Sequence, residues 1–119
     1  MRFKDKIVLI TGSAGGIGFK TALDFGNEGA IVAVTDIDFE MAKKLSNQII
    51  SNGGVAEPFQ LDVTNLEQTK NVFETLNEKH GVCDIIFCNA GIREITPMLD
   101  LQFEEWKKVI DVNVNGVFL

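Results

Sequence analysis

A glycine-rich segment near the start of the chain has the composition of a phosphate-binding loop. The segment reads Thr11-Gly12-Ser13-Ala14-Gly15-Gly16-Ile17-Gly18 and separates an apolar run from a longer amphipathic stretch. Glycine lets the backbone turn tightly and approach a ligand with no Cβ in the way. The free N–H groups at the start of a following helix, together with the helix dipole, favour an anion. The segment therefore predicts a pyrophosphate site, with a purely structural turn as the alternative.

Asp36 ends the next apolar run and is the candidate for binding a ribose. Its distance in sequence from Gly18 is close to that at which an acid meets the adenosine ribose of a dinucleotide. A carboxylate there can bind two hydroxyls, and it opposes a 2′-phosphate by about 1–4 kcal/mol per unit charge at contact distance. Loop residues 13–15 bring no positive charge, so the sequence favours NAD over NADP. The alternative is that Asp36 caps the next helix, a role that we assign to Asp38.

Short apolar runs alternate with longer amphipathic stretches, which is typical of parallel strands joined by crossover helices. The predicted strands are Ile7 to Thr11, Ile31 to Asp36, Val55 to Leu61 and Val82 to Asn89, and the predicted helices span about 16–28, 38–52 and 65–80. The first, second and fourth strands are nearly all apolar, as strands covered on both faces are, whereas the third is more polar and fits a sheet edge. The sequence therefore predicts an α/β fold with the glycine loop between the first strand and the first helix.

Local signals mark the ends of the predicted helices. Asp38 is expected to cap the second helix, and Asn52-Gly53-Gly54 supplies a left-handed stop. Thr64-Asn65-Leu66-Glu67 has the pattern of a capping box at the start of the third helix. Helical spacing then predicts a buried stripe formed by Leu66, Thr69, Phe73 and Leu76.

Composition and charge restrict the class of protein. The chain has 119 residues, 45% of them hydrophobic and 24% charged, which is the mixture of a single soluble globular domain. Its 11 basic and 17 acidic residues give a net charge of −6, which disfavours nucleic acid and anionic lipid as partners. No membrane-spanning run or targeting segment is evident, so a cytoplasmic location is expected. Cys83 and Cys88 would point to opposite faces of one strand and stay unpaired, as in a reducing compartment.

The last segment keeps helical spacing up to the final residue. Its apolar positions are Phe103, Trp106, Val109, Ile110, Val114 and Val117, with no capping glycine or basic turn after them. The strand predicted over 82–89 also has at most one neighbour within this chain. Both observations lead to the expectation that residues 1–119 are the NAD-binding N-terminal portion of a single larger domain.

The glycine loop resembles that of the short-chain dehydrogenase/reductase family, T-G-x-x-x-G-x-G, at Thr11, Gly12, Gly16 and Gly18. Because position 15 is also glycine, the loop equally fits the T-G-x-x-G-x-x-G of the extended, epimerase-like branch. Asn89-Ala90-Gly91 after the fourth strand favours the reductase-type branch. The resemblance implies a Rossmann-like, doubly wound parallel sheet with strand order 3-2-1-4, of which the later strands would be missing here.

The resemblance also implies a set of site residues. The cofactor-binding positions would be Gly12, Ser13, Gly16, Ile17, Gly18, Asp36, Ile37, Asp62, Val63, Asn89, Ala90 and Gly91. Asp62 resembles the family's adenine-contacting acid, although by position it could instead cap the third helix. Asn113 resembles the family's active-site Asn, with Asn115 as the competing candidate.

The family's catalytic Ser and Y-x-x-x-K pair have no counterpart in residues 1–119, which contain no Tyr. In family members the Tyr exchanges the hydroxyl proton, the Lys lowers the pKa of that Tyr, and the Asn holds a relay water. His80, the only histidine, is expected to be solvated at a helix end with no metal ligands around it.

The resemblance therefore implies the cofactor-binding part of an NAD(P)-dependent oxidoreductase that acts on an alcohol/ketone pair. A homo-oligomer is expected for the complete protein. An alternative is a stand-alone, non-catalytic dinucleotide-binding or interaction module that a partner chain completes. A flavodoxin-like or response-regulator domain is disfavoured, because such domains do not require Asn89-Ala90-Gly91 after this glycine loop.

Overall fold

The computed structural model describes all residues 1–119 as alternating strands and helices. Strands β1 to β4 span Ile7–Ile10, Ile31–Asp36, Val55–Gln60 and Ile85–Phe87. Helices α1 to α4 span Gly16–Asn27, Phe39–Ser51, Leu66–His80 and Phe103–Ile110. A π-helical stretch, Asp111–Asn115, continues α4 into a short last helix, α5, at Gly116–Phe118. None of these helices combines the length and the apolar content needed to cross a bilayer.

The four strands form one parallel sheet in the order β3-β2-β1-β4, which confirms the predicted fold class and strand order. Val8 of β1 is paired with Val32 of β2 on one side and with Ile85 of β4 on the other. Because all four strands run in the same direction, their carboxyl ends meet at one edge of the sheet. The order reverses between β1 and β4, and ligands of open α/β sheets bind at such a switch point.

Strand β1 is buried on both faces, as its uninterrupted apolar run predicts. Val8 and Ile10 belong to a core shared with α1 and α2, whereas Ile7 and Leu9 belong to a core shared with α3. Successive side chains of a strand point to opposite faces, so this one strand serves both layers. Full burial of each such side chain contributes roughly 1.5–3 kcal/mol. The sheet is therefore a firmly packed base for the loops at its carboxyl edge.

Strand β4 is shorter than the predicted Val82–Asn89, and side chains as well as backbone groups hold its two flanks. Before the strand, a carboxylate oxygen of Asp84 accepts the Ile7 amide at 2.9 Å. After the strand, the Asn89 amide donates to the Thr11 hydroxyl at 3.0 Å. The apolar run thus extends beyond the strand into two irregular segments that polar side chains help to hold.

The predicted helix starts are correct for α2 but not for α3. Asp38 caps α2 by accepting an amide of the first turn at 3.2 Å. In α3 the cap is Asn65, which accepts a first-turn amide at 3.0 Å, so the capping box that starts at Thr64 was wrong. The Thr64 amide and hydroxyl donate to the Asp62 carboxylate at 2.9 and 2.6 Å, so Thr64 belongs to the turn that precedes the helix.

Two predicted apolar faces also differ from those observed. In α3 the buried side chains are Val72 and Leu76, whereas Leu66, the first residue of the helix, is exposed. The last segment is not one regular helix, because the π-helical stretch interrupts it. Phe103 and Trp106 stack on each other with ring centroids 5.7 Å apart and are both exposed. As expected, Cys83 and Cys88 are free thiols.

Asp84 links the amino ends of β1 and β4, and this link predicts a pH-dependent stability. The Ile7 amide, and then the Lys6 ammonium at 3.2 Å, donate to the carboxylate and hold the pKa of Asp84 below its ordinary value of 3.8. A carboxyl whose pKa is lower in the folded state stabilises the fold above the unfolded-state pKa, and that contribution disappears as the pH falls through the folded-state pKa. We expect Asp84→Asn to unfold more easily than the wild type at neutral pH and to lose less stability on acidification through and below 3.8.

Chemical denaturation across that pH range measures both effects. Asp24→Asn is the matched control, because it removes a carboxylate from an exposed ion pair with Lys20 that involves no backbone amide. An Asp84→Asn variant with the pH dependence of the wild type would contradict the stabilising role of this link.

Candidate nucleotide-binding site

A cleft of about 800 Å³ lies at the carboxyl edge of the sheet. Residues that end or directly follow each of the four strands form most of it, and α4 with the start of the π-helical stretch forms the remaining wall. The lining residues are Gly12, Gly15, Asp36, Ile37, Leu61, Asp62, Val63, Thr64, Asn89, Ala90, Gly91, Ile92, Glu104, Lys107, Lys108, Asp111 and Val112. Eight of the twelve residues predicted to bind a cofactor are therefore brought together here.

The glycine loop packs against the loop after β4 so closely that two of its glycines have no room for a side chain. Gly12 has a left-handed φ of 59°, and a Cβ on it would lie 2.7 Å from the Ala90 Cα. A Cβ on Gly18 would lie 2.5 Å from the side-chain nitrogen of Asn89. Gly15 and Gly16, in contrast, have no atom within 4 Å of a Cβ position. The loop is thus tightly packed on its inner side and presents open backbone at the start of α1.

Asn89 joins the loops after β1 and β4 through both its side chain and its backbone. Its Nδ2 donates to the carbonyl oxygens of Thr11 at 3.2 Å and Gly12 at 3.0 Å. The amides of Asn89 and Ala90 both donate to the Thr11 hydroxyl at 3.0 Å. These four bonds hold the glycine loop beside the small residues that line the cleft.

The Asp36 carboxylate lines the cleft and is held by two backbone amides. Its Oδ2 accepts the Ala14 amide of the glycine loop, and its Oδ1 accepts the Asp38 amide, each at 3.0 Å. Both bonds leave acceptor capacity on the oxygens, because an ionised carboxylate has about four lone-pair sites. Asp36 is therefore oriented by the loop, and Asp38 is the residue that caps α2.

Asp62 and Val63 form the wall of the cleft after β3. Asp62 Oδ1 accepts the Thr64 amide at 2.9 Å and the Thr64 hydroxyl at 2.6 Å. This arrangement is a local turn that leads into α3, so Asp62 does not cap the helix. Val63 is buried, and a Cβ on Gly116 would lie 2.6 Å from its Cγ2. Glycine at position 116 therefore permits the start of α5 to pack against this wall.

Five predicted site residues are not among those that line the cleft: Ser13, Gly16, Ile17, Gly18 and Asn113. The Ser13 hydroxyl is fully buried and donates to the Thr35 carbonyl at 3.0 Å. Ser13 therefore anchors the loop to β2 from within, and its side chain points away from the cleft. Ile17 is largely exposed on the first turn of α1.

Asn113, in the π-helical stretch, binds the chain directly after the Asn89-Ala90-Gly91 segment. Its Oδ1 accepts the Ile92 amide and its Nδ2 donates to the Ile92 carbonyl, both at 2.8 Å. Asn115 instead donates to an Asp111 oxygen at 2.9 Å. The structure thus separates the two candidate asparagines, because only Asn113 is attached to a cleft loop.

The charged wall that α4 contributes was missed by the sequence analysis. The charged residues Glu104, Lys107, Lys108 and Asp111 recur at helical spacing, whereas the sequence analysis considered only the apolar positions of this segment. Lys107 Nζ lies 2.5 Å from Asp111 Oδ2, and this hydrogen bond is the main reason that the pKa of Asp111 is lowered. The helical periodicity of the charges was the available signal, but it did not indicate which helix would border the cleft.

His80 lies outside the cleft and is not simply solvated as expected. Its Nε2 lies 3.1 Å from a Glu57 carboxylate oxygen, and both side chains are partly buried. Glu57 on β3 reaches the end of α3, which explains the pairing. No three His, Cys, Asp or Glu side chains are grouped as a metal site would require.

The fold and the cleft define a nucleotide-binding domain of the Rossmann type, with open glycine backbone at a helix start and an acid at the end of the next strand. The chain belongs to the short chain dehydrogenase family, which it matches over residues 6–119. The resemblance noted from the glycine loop and from Asn89-Ala90-Gly91 is thereby confirmed.

Individual relatives match almost the whole chain. It is 40% identical over 118 residues to the 3-oxoacyl-[acyl-carrier-protein] reductase FabG of Thermotoga maritima, covering 99% of this chain and 48% of FabG. A crystal structure of a short-chain type dehydrogenase/reductase from Mycobacterium marinum has a TM-score of 0.94 and 38% identity, over 98% of this chain and 47% of that one. A metagenomic short-chain oxidoreductase in complex with NADP has a TM-score of 0.93 and 27% identity, over 99% of this chain and 54% of that one. The chain thus spans about half the length of each of these proteins.

Substitution of Gly12 tests the close packing of the two loops. Gly12→Ala would keep a left-handed φ of 59° and place a Cβ 2.7 Å from the Ala90 Cα. Left-handed strain costs about 1–2 kcal/mol and overpacking about 1–3 kcal/mol, so we expect the free energy of unfolding to fall by about 2–5 kcal/mol. Gly15→Ala is the control, since Gly15 has an extended φ of −153° and open space around it. Urea denaturation measures both variants, and equal stabilities would contradict the packing role of Gly12.

Removal of the Asn113 side chain tests its hold on Ile92. Each neutral hydrogen bond contributes about 0.5–1.5 kcal/mol, so we expect the Ile92 amide to exchange with solvent about 5- to 100-fold faster in Asn113→Ala. Hydrogen exchange resolved by residue measures the effect. Asn115→Ala, which loses only the bond to Asp111, should leave exchange at Ile92 unchanged. Similar exchange at Ile92 in both variants would show that Asn113 does not hold this loop.

Proposed function

We propose that residues 1–119 supply the dinucleotide-binding part of a short-chain oxidoreductase that uses NAD and interconverts an alcohol and a ketone. One contact carries this proposal. The Asp36 carboxylate, a candidate for the ribose hydroxyls, accepts the Ala14 amide of the glycine loop at 3.0 Å. The anion-binding loop and the hydroxyl-binding acid are thus held in fixed relation in one cleft, as a dinucleotide requires.

The roles proposed for the chain follow the order of the cleft. Asp62 and Val63 would contact the adenine, and Asp36 with Ile37 the adenosine ribose. The pyrophosphate would be bound by the glycine loop, at Gly12, Ser13, Gly16, Ile17 and Gly18. Because the Ser13 hydroxyl is used internally, we assign its part in binding to the loop backbone. Asn89, Ala90 and Gly91 would form the wall beside the nicotinamide.

The reaction proposed for the protein is hydride transfer, which the nicotinamide ring supplies when the cofactor is bound. This chain's residues would bind and orient the cofactor, and Asn113 would position the Ile92 segment in the wall of the cleft. The name of the Thermotoga relative, a 3-oxoacyl reductase, supports a ketone as the oxidised substrate. A catalytic proton donor of the Y-x-x-x-K type is not part of residues 1–119, so we limit the role of this chain to cofactor binding.

A preference for NAD over NADP is proposed on the charge of Asp36. Both oxygens of this carboxylate are held by backbone amides, so it cannot easily turn away from a 2′-phosphate. The metagenomic relative that is in complex with NADP has 27% identity to this chain, which leaves room for a different residue at this position.

Fluorescence titration with NADH and NADPH tests the function and the preference together. We expect NADH to bind the wild type about tenfold or more tightly than NADPH, because repulsion at contact distance is about 1–4 kcal/mol. Asp36→Ala should narrow this ratio, whereas Asp24→Ala on the outer part of α1 should leave it unchanged. Equal or tighter binding of NADPH would contradict the role of Asp36. Failure of the wild type to bind either nucleotide would contradict the proposed function.

A further inference from the structure

The proposed cofactor contacts leave unused the two lysines of the cleft wall. Lys107 and Lys108 line the cleft together with four acids, Asp36, Asp62, Glu104 and Asp111. The chain as a whole has a net charge of −6. More negative than positive side chains therefore surround an anionic ligand in this cleft. Its binding depends on any positive charge that is not already neutralised by a neighbour.

Of the two lysines, only Lys108 has a charge that no ion pair neutralises. Lys107 forms an ion pair with Asp111. Lys108 is exposed and forms no ion pair. Glu94 is close enough to feel Lys108, but the pKa of Glu94 is lowered first by hydrogen bonds from Thr96 and only last by the charge of Lys108. Glu94 Oε1 accepts three donors of its own loop and forms no ion pair with Lys108.

We propose that Lys108, on the wall of this cleft, attracts the anionic part of a nucleotide bound in the cleft. The inference rests on the proposed function, because it assumes that the ligand carries a pyrophosphate. The glycine loop offers only uncharged N–H groups. Lys108 is the positive side chain without an ion pair that lines the cleft. A lysine suits this role because its flexible stem lets the ammonium follow the ligand. The attraction extends over a Debye length, about 10 Å at 0.1 M salt, and weakens as salt is added.

Binding of NADH, ADP-ribose and adenosine to the 119-residue chain tests the proposal. At low salt we expect Lys108→Gln to bind NADH and ADP-ribose about three- to tenfold more weakly than the wild type, and Lys108→Glu to bind them more weakly still. The difference should shrink at about 1 M salt, where the Debye length is about 3 Å. Adenosine carries no charge and should bind the wild type and both variants alike.

Lys4→Gln is the matched control for the loss of one positive charge. Lys4 precedes β1, at the end of the sheet opposite the cleft, and it also forms no ion pair. The Lys4→Gln variant should bind all three ligands with the affinity of the wild type.

Each way in which the proposal can fail has its own signature. Wild-type binding of NADH by Lys108→Gln at low salt would overturn the inference and leave the proposed function intact. A loss that persists at high salt, or that extends to adenosine, would also overturn it, because the effect would then not be electrostatic. A wild type that does not bind NADH would contradict the proposed function itself.

Discussion

The cleft depends on the close approach of the loops that follow β1 and β4. The Gly12 backbone lies so near Ala90 that no side chain fits between them. Four hydrogen bonds, each involving Thr11 or Asn89, cross the same gap. This contact joins segments far apart in sequence, and it forms only because β4 pairs with β1 across the point where the strand order reverses. Chain connections leave such a point toward opposite faces of the sheet, so the loops diverge unless polar groups hold them together.

Buried polar links extend the same constraint to β2. The Thr35 hydroxyl donates to the Ile10 carbonyl at 2.7 Å, and the Ser13 amide and hydroxyl both donate to the Thr35 carbonyl at 3.0 Å. Buried polar groups are costly unless they are paired, so these groups define one arrangement of the loop. The presence of serine at position 13 of the loop thereby has a structural explanation. Ser13 faces the sheet, whereas Gly12 before it packs against Ala90 and Gly15, two residues after it, lines the cleft.

The features that the sequence predicted correctly are those with a strong local cause. The apolar runs of β1 and β2, the position of the glycine loop between β1 and α1, and the Asp38 cap each have a pattern that few alternative structures satisfy. The prediction failed where the outcome depended on a distant partner. Thr64 and Asn65 are both good caps, and the choice between them follows from the Asp62 turn after β3. The true ends of β4 follow from hydrogen bonds to β1, and the charged wall follows from the position of α4 beside the cleft. None of these contacts can be seen within a local window of sequence.

The negative charge in the cleft favours selectivity against a 2′-phosphate but lowers the affinity for a pyrophosphate. A carboxylate at the end of β2 suits ribose hydroxyls and opposes a 2′-phosphate, but the same charge opposes the pyrophosphate of any dinucleotide. Asp62, Glu104 and Asp111 in the same cleft add to that opposition. Backbone N–H groups at the start of α1 favour an anion through directed hydrogen bonds, which act only at short range. A free ammonium acts at longer range and with less dependence on geometry. In the proposed function, two kinds of positive partner reconcile the opposing effects of Asp36 on selectivity and on affinity: the N–H groups of the glycine loop and the Lys108 ammonium on α4.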